Sequence, residues 1–460
     1  MHEIPHLYLV GYGAIGQALT PLLISRLGLN PHHITAIDPR AESRHLVESY
    51  GINFQCLEIT PENLVKTLDE LVVPGSLLIN VAVNVSSIEL IRWCQAHAVL
   101  YLDTCVEPWK GNYGVGRHNE DSITNYELRH EVLELRRDGA PTAVIAHGAN
   151  PGLVTHFVKT ALQKLAKNRG IAHWQSWAEL ADRLGVRCIQ VAERDTQGAA
   201  ADLSKFDFVN TWSVDGFISE AWQYAELGWG SHEKQLPERA SEHGFGDRAG
   251  ICLATRGAET RVKSWVPSRG AQTGMLITHH EALSIASWLT LRDAAGNVRY
   301  RPTAYYAYCP SPETQRSVKR WIASSYQKVS KRRVLREELN DGCDELGVLM
   351  VFDGGCYWYG STLTLREART LVPGNNATTL QVVAGILGAV QWMRKNPRRG
   401  VVEAEDMDHE VVLEVAKPFL GKVHGVLAQW QPADKSDLQF ADFLADGPES
   451  SAQNVRARSQ

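Results

Sequence analysis

Residues 7–16 read LYLVGYGAIG, and the reading of this stretch decides the fold. His6–Val10 is a short apolar, strand-like run, and from Ala14 apolar side chains recur at helical spacing through Ile15, Leu19, Leu22 and Leu23 toward Leu27. Between them stand Gly11, Gly13 and Gly16. In a strand-to-helix turn the first glycine permits the reversal, the second admits a pyrophosphate close to the backbone, and the third lets helix and sheet pack tightly. Phosphates then meet free N–H groups and the positive end of the helix dipole. A glycine triplet alone is weak evidence, but here the context is complete. His33–Asp38 reads as a second strand ending on an acid 22 residues past Gly16, placed to accept the ribose hydroxyls of an adenosine. The pattern predicts a dinucleotide site. NAD is favoured over NADP because Asp38 repels a 2′-phosphate, and Arg40 nearby is the group that argues the other way.

Working outward, strand-like and helix-like segments alternate to about residue 150. The strands are expected at Phe54–Ile59, Ser76–Val83, Leu100–Thr104 and Thr142–His147, and helices at Ala41–Tyr50, Pro61–Leu71, Ser86–Ala98 and Asn125–Arg137. Six strands separated by helices predict an α/β fold, an N-terminal Rossmann doubly wound parallel sheet. Ligands of such sheets lie beyond the carboxyl ends of the strands. Asn84, Glu107 and the turn Asn150-Pro151-Gly152 fall there, although each also reads as ordinary loop chemistry. The expected cofactor contacts are Gly11, Tyr12, Gly13, Ala14, Ile15, Gly16 and Asp38, joined by Val83, Thr104 and Pro151 at the later strand ends. After residue 150 the rhythm breaks, and short strand-like segments dominate from Val186 to Tyr308, as in a second, mixed α+β substrate and dimerisation domain. The expected division is 1–150, 151–376, a helix over 377–395 packing back on the first domain, a C-terminal extension over 396–446, and a frayed tail over 447–460.

Composition narrows the class. A net charge of −5 gives no basic face for nucleic acid. Eight cysteines without a C-x-x-C pair argue against zinc and against a disulfide framework, and suit a reducing compartment. No uninterrupted apolar run reaches a membrane-spanning length, and the first strand begins within six residues of Met1, so a cytoplasmic protein without a secretory signal is expected.

In the second domain Glu193 ends an apolar strand, Trp212 sits in Asn210-Thr211-Trp212-Ser213, and Glu220 follows. By themselves the acids, Asp195 included, read as solvated surface and Trp212 as a core aromatic. His279-His280-Glu281 resembles part of a metal motif that lacks its second histidine, so no metal is expected. Asp341, Asp344 and Glu345 read as loop acids ahead of a strand at Leu346–Val351.

Taken together the segments resemble one family, the bacterial-type homospermidine synthases of the saccharopine-dehydrogenase-like group. The resemblance runs from about residue 7 to 430 through VEPWKGNYG, GANPGLV, VAERDTQ, NTWSVDGFISE, AELGWG, RVKSWVP, DELGVL, YWYGS and NNATTLQV. It implies an aminoalkyl transferase that joins two putrescine molecules into homospermidine and releases ammonia. NAD⁺ would take a hydride from the amine-bearing carbon, an imine would become a Schiff base with the second amine, and the same NADH would return the hydride. The resemblance places Glu107, Glu193, Glu220 and Asp344 in an amine tunnel, with Trp212 offering its π face to a cation at about 0.5–2 kcal/mol. Asn150 would orient a reacting N–H, and Glu193, Glu220 or His279 would take the proton of the reacting amine. Asn84 stands where the family carries an aspartate, which bears on amine preference among putrescine, spermidine and diaminopropane. A homodimer is implied as well.

Two other readings follow from the same residues. A saccharopine- or carboxynorspermidine-type NAD(P)-dependent oxidoreductase would need arginines near the nicotinamide to bind a carboxylate, where the motif blocks offer acids. A silent NAD-binding regulator would be expected to have lost the tunnel acids and Trp212.

Overall fold

The computed structural model describes residues 2–111, 124–433 and 436–445. The tail expected over 447–460 lies outside them. The first sheet is entirely parallel. Its strands β1 (Leu7–Val10), β2 (Ile34–Ile37), β3 (Asn53–Gln55), β4 (Leu77–Asn80), β5 (Leu100–Asp103) and β6 (Ala143–Val144) run in the order β6-β5-β4-β1-β2-β3. Registers such as Leu7 opposite both Ile34 and Leu77 put β1 at the centre. Strands β1, β2, β4 and β5 are buried along their whole length, because helices cover both faces of a parallel sheet.

The expectation of six strands is corrected to seven. Val401–Val402 adds a parallel strand beside β6, with Val401 opposite Ala143. Strand β4 is also shorter than expected. Asn80 ends it by accepting the Ala82 N–H on Oδ1 at 3.2 Å and donating Nδ2 to the Val85 carbonyl at 3.3 Å, which turns residues 81–85 outward. β6 stops after two residues because the buried Asp103 carboxylate takes the Ala146 N–H at 2.6 Å.

Helices α1 (Ala14–Leu27), α2 (Arg44–Ser49), α3 (Leu64–Leu71), α4 (Ser87–Ala96) and α5 (Asn125–Leu133) alternate with these strands. Helix α1 ends on Gly28 in the left-handed region, and Ser86 caps α4 through the Glu89 N–H. Helix α6 (Leu153–Asn168) follows β6 and leads into the second unit.

The second sheet has ten strands. At its centre β7 (Val186–Asp195) pairs parallel with Thr303–Cys309 and antiparallel with Cys343–Phe352. The acids Asp344 and Glu345 therefore lie inside a strand, not in a loop before one: pairing with β7 extends the strand back to Cys343. The segment beyond residue 395 contributes to both sheets, since Lys422–Ala428 forms an edge strand on Gly355–Thr364. Helix Ala377–Lys395 packs between the units, its apolar face against α1 in one continuous core with Leu19, Phe157 and Val348. At Gly385 it approaches β6's exit so closely that a Cβ would overlap the Gly148 carbonyl oxygen. Among the described residues no helix is long and apolar enough to cross a membrane.

Candidate active site at the strand ends

Two spaces open at the carboxyl ends of the first sheet. The larger is a groove of about 960 Å³ over the glycine turn. Gly11 has φ +91°, and a Cβ there would meet the Ala82 backbone N at 2.8 Å; one on Gly16 would lie 2.8 Å from the Gly11 carbonyl. Both positions thus require glycine, whereas Gly13 faces the groove with only the tip of Arg40 nearby. Gly11, Gly13, Ala14, Ile15, Asp38, Val83 and Asn84 line the groove, while Tyr12 and Gly16 are buried in its wall. Asp38 accepts the Tyr12 N–H at 2.6 Å and is gripped by Arg40 through Nε at 2.9 Å and Nη2 at 2.8 Å. These bonds hold its carboxyl below the usual range against the opposing effect of burial. A backbone cradle that a Cβ would fill, with a fixed carboxylate one strand away, suits a dinucleotide.

The smaller space is a cavity of about 140 Å³ beside the groove. Ile15, Val81, Ala82, Val83 and Ser213 line both, so the two share a wall. Thr104, Glu107, Asn150 and Pro151 close the cavity from the first sheet, and Glu193, Trp212, Glu220 and Tyr306 from the second unit. Glu107 is buried, fixed by Ser87 Oγ accepting its N–H at 3.0 Å, and its Oε2 accepts the Asn84 N–H at 3.1 Å. Burial pushes its carboxyl up to about 7. Asn84 holds a left-handed φ of 66°, which asparagine tolerates well.

Glu193 Oε2 accepts the Tyr306 hydroxyl at 2.6 Å and Asn150 Nδ2 at 3.4 Å. Asn150 precedes a cis proline, and its Oδ1 is buried without a hydrogen-bond partner among the described residues. Trp212 is held by its indole N–H on the Tyr308 hydroxyl at 3.1 Å and by an edge contact with Phe217 at 5.8 Å between centroids. Glu220, on the helix Val214–Trp222, lines the cavity, and burial with repulsion from Glu107 and Glu193 drives its carboxyl well above the usual range.

Asp344 does not reach the cavity wall. It lies one layer behind Glu193, accepting the Thr378 hydroxyl at 2.5 Å, with Asp195 opposite it on β7. Burial holds all three above the ordinary carboxylate range, with Asp195 repelling Glu193, Glu313 repelling Asp195, and both Glu193 and Asp195 repelling Asp344. His279 is also off the wall. It caps the helix His280–Trp288, its ring 5.1 Å from that of Tyr306 and beside the Asn150 backbone, and burial lowers it to about 3. A neighbour, Glu281, accepts the Thr155 N–H at 2.8 Å and steadies the start of α6.

Sequence reasoning missed Tyr306, Tyr308, Thr378 and Asp195. The alternation Tyr306–Tyr308 in an apolar strand was the available signal, whereas Asp195 meets Asp344 only through strand register. Among the described residues no cluster of His, Cys, Asp or Glu is arranged to hold a metal ion.

Comparison with known proteins supports one family. The saccharopine dehydrogenase NADP binding domain matches residues 7–146, and the saccharopine dehydrogenase C-terminal domain matches residues 148–426. A homospermidine synthase of Mesorhizobium japonicum is 42% identical over 450 residues, spanning 95% of this chain and 93% of its own. One from Blastochloris viridis is 42% identical over 92% of this chain and 91% of its own. The crystal structure of the homospermidine synthase from Legionella pneumophila in complex with NAD superposes with a TM-score of 0.89 at 39% identity, covering 96% of this chain and 98% of that one.

Proposed function

The chain belongs to the homospermidine synthase family, and on that premise we propose that it condenses two putrescine molecules to homospermidine with release of ammonia, using NAD without net redox change. The single observation that carries the reading is the shared wall: a dinucleotide groove abutting a small cavity lined by buried carboxyls and an indole. The volume agrees, since a cavity of about 150 Å³ holds a benzene, a molecule of as many heavy atoms as putrescine. A saccharopine-type oxidoreductase would bind a carboxylate there, and Glu107, Glu193 and Glu220 repel one.

Held in the groove by the Gly11–Gly16 turn and Asp38, NAD would supply the hydride acceptor and donor for the amine-bearing carbon. The protein's part is to hold cations and move protons. Glu107 and Glu220 hold the distal ammonium, and the Trp212 face stabilises the cationic imine between them. Asn150 Oδ1, without a partner among the described residues, accepts an N–H of the reacting amine and orients its lone pair. Glu193 takes the proton that this amine must lose, its raised affinity for protons matching a base that works near neutrality. Tyr306 and Asn150 fix its carboxylate. Burial and the nearby Asp195 keep that affinity high. His279, neutral and off the wall, holds the Asn150 turn in place and leaves the proton to Glu193. The second diamine supplies its own amine as nucleophile, so no lysine is needed.

The domain division follows the same logic: 1–150 for the cofactor and 151–376 for the substrate, a boundary that the two family matches support. Eight cysteines scattered without a C-x-x-C pair suit a cytoplasmic protein. The edge strand Lys422–Ala428, with Leu427 64% exposed, offers a surface for a homodimer.

Incubation with putrescine and substoichiometric NAD⁺ tests the reading. Homospermidine and ammonia in excess of the NAD⁺ supplied are expected; product capped at the NAD⁺ added, or accumulating NADH, would refute it.

A further inference from the structure

Four arginines line the groove over the glycine turn, and three of them already face carboxylates. Arg40 is on Asp38, Arg332 on Asp215, and Arg333 on Glu338. Arg336 differs. Among the described residues it has no carboxylate within ion-pair distance. Its Nε donates to the Gly374 carbonyl at 3.0 Å and its Nη1 to Gln17 Oε1 at 2.6 Å, both neutral acceptors. It is half-buried, so its charge is partly stripped of water, and burial lowers its proton affinity.

Its location gives that charge a use. Gln17 sits in the first turn of α1, and its Nε2 donates to the Tyr12 carbonyl at 3.1 Å, inside the glycine turn. Arg336 itself comes from the other unit, just past the strand Arg332–Val334. The chain there is rigidly held: the Leu335 N–H donates to the Asn210 carbonyl at 2.7 Å. Asn376 Nδ2 donates to the carbonyls of both Leu335, at 2.7 Å, and Thr211, at 2.6 Å. Thr211 precedes Trp212.

We propose that Arg336 is a cofactor-binding residue that engages the diphosphate of the dinucleotide, so that the substrate unit grips the cofactor beside the glycine turn. The inference rests on the dinucleotide reading above. A planar guanidinium with an unpaired charge and N–H groups to spare matches phosphate oxygens, and partial desolvation strengthens the pairing. The cofactor is then held by both units at once. Through Leu335, Asn376 and Thr211 the same strap reaches the residue that places Trp212, so the filled groove and the ordered cavity go together. Such a cofactor stays in place between lending and recovering its hydride.

The test is binding without turnover. ADP-ribose and adenosine are titrated into the wild type, Arg336→Gln and Arg336→Lys with no diamine present, the first by calorimetry and the second by NMR. Arg336→Gln should weaken ADP-ribose at least tenfold while adenosine changes less than twofold, and Arg336→Lys should recover part of the loss. Unchanged ADP-ribose affinity overturns the assignment to Arg336 while leaving the dinucleotide site intact. Equal losses for both ligands overturn it too, because the residue would then only be shaping the groove. If the wild type binds no ADP-ribose, the dinucleotide reading falls and the inference with it.

Discussion

The groove and the cavity share a wall but are built on opposite electrical plans. In the groove three of the four arginines face carboxylates, and backbone N–H groups at the start of α1 complete the surface. In the cavity Glu107, Glu193 and Glu220 face one another without a cation among the lining residues, and Asp195 and Asp344 add negative charge from behind. The groove is ready before its ligand arrives. In the cavity the carboxyls, crowded out of water, favour their protonated forms, and a cation would relieve them. The difference lies in how the charges are matched: the groove has most of its charges paired within the chain, and among the described residues the cavity has none of its lining carboxyls paired with a cation.

The most damaging test of this contrast is Glu193→Gln. It keeps the shape and removes the proposed base, so turnover should fall by about 10²–10⁴-fold. Dinucleotide affinity should stay within twofold, and an equal fall in both would merge the two regions into one.

Next comes Trp212→Ala. Losing a cation–π contact of up to about 2 kcal/mol predicts a fall of about 30-fold in kcat/KM, again with dinucleotide affinity retained. Trp212→Phe should restore part of it, and no difference between Phe and Ala would reduce Trp212 to a core aromatic.

A gentler probe is pH. Burial raises Glu107 to about 7 in the folded chain from its ordinary 4.5. Below the unfolded value both states are protonated and nothing is lost; as pH rises through the folded value, the empty protein carries the full penalty of a buried charge. Ammonium groups offset that penalty, so diamine affinity should strengthen as pH rises from about 6 to about 8, with protons released on binding. Dinucleotide affinity should stay flat over this range. A diamine affinity that ignores pH would show that the acids are not in the binding step.

The smallest effect is expected from Asn84→Asp. A second carboxylate beside Glu107, exposed to the groove, should tighten putrescine a few-fold, as partly screened pairs do, and raise the pH needed to ionise Glu107. Weaker putrescine binding would mean that Asn84 acts through its left-handed backbone alone.

The legible parts of the molecule were local. The Gly11–Gly16 turn, Asp38 and the buried strands β1, β4 and β5 announce themselves in a few consecutive residues, because spacing alone specifies them. Strand ends were less legible: Asn80 and Asp103 stop β4 and β6 early through side-chain bonds that no periodicity records. The resemblance supplied Glu193, Trp212 and Glu220, which read by themselves as surface and core. It could not say that Asp344 and His279 stand behind the wall, since that depends on the register of β7 with Cys343–Phe352 and on the packing of a helix cap. The strand Val401–Val402 was hidden by its brevity.

The contact between Gly385 and Gly148 bears on traffic through the molecule. With no side chain between them, the long helix rides directly on the backbone that leads into the Asn150 turn. This pins the helix to the turn, with the shared core packed around the contact. A jaw that opens wide would have to break this pin and expose the core around it. A ligand that reaches the cavity without breaking this contact can come by way of the groove, whose wall the cavity shares.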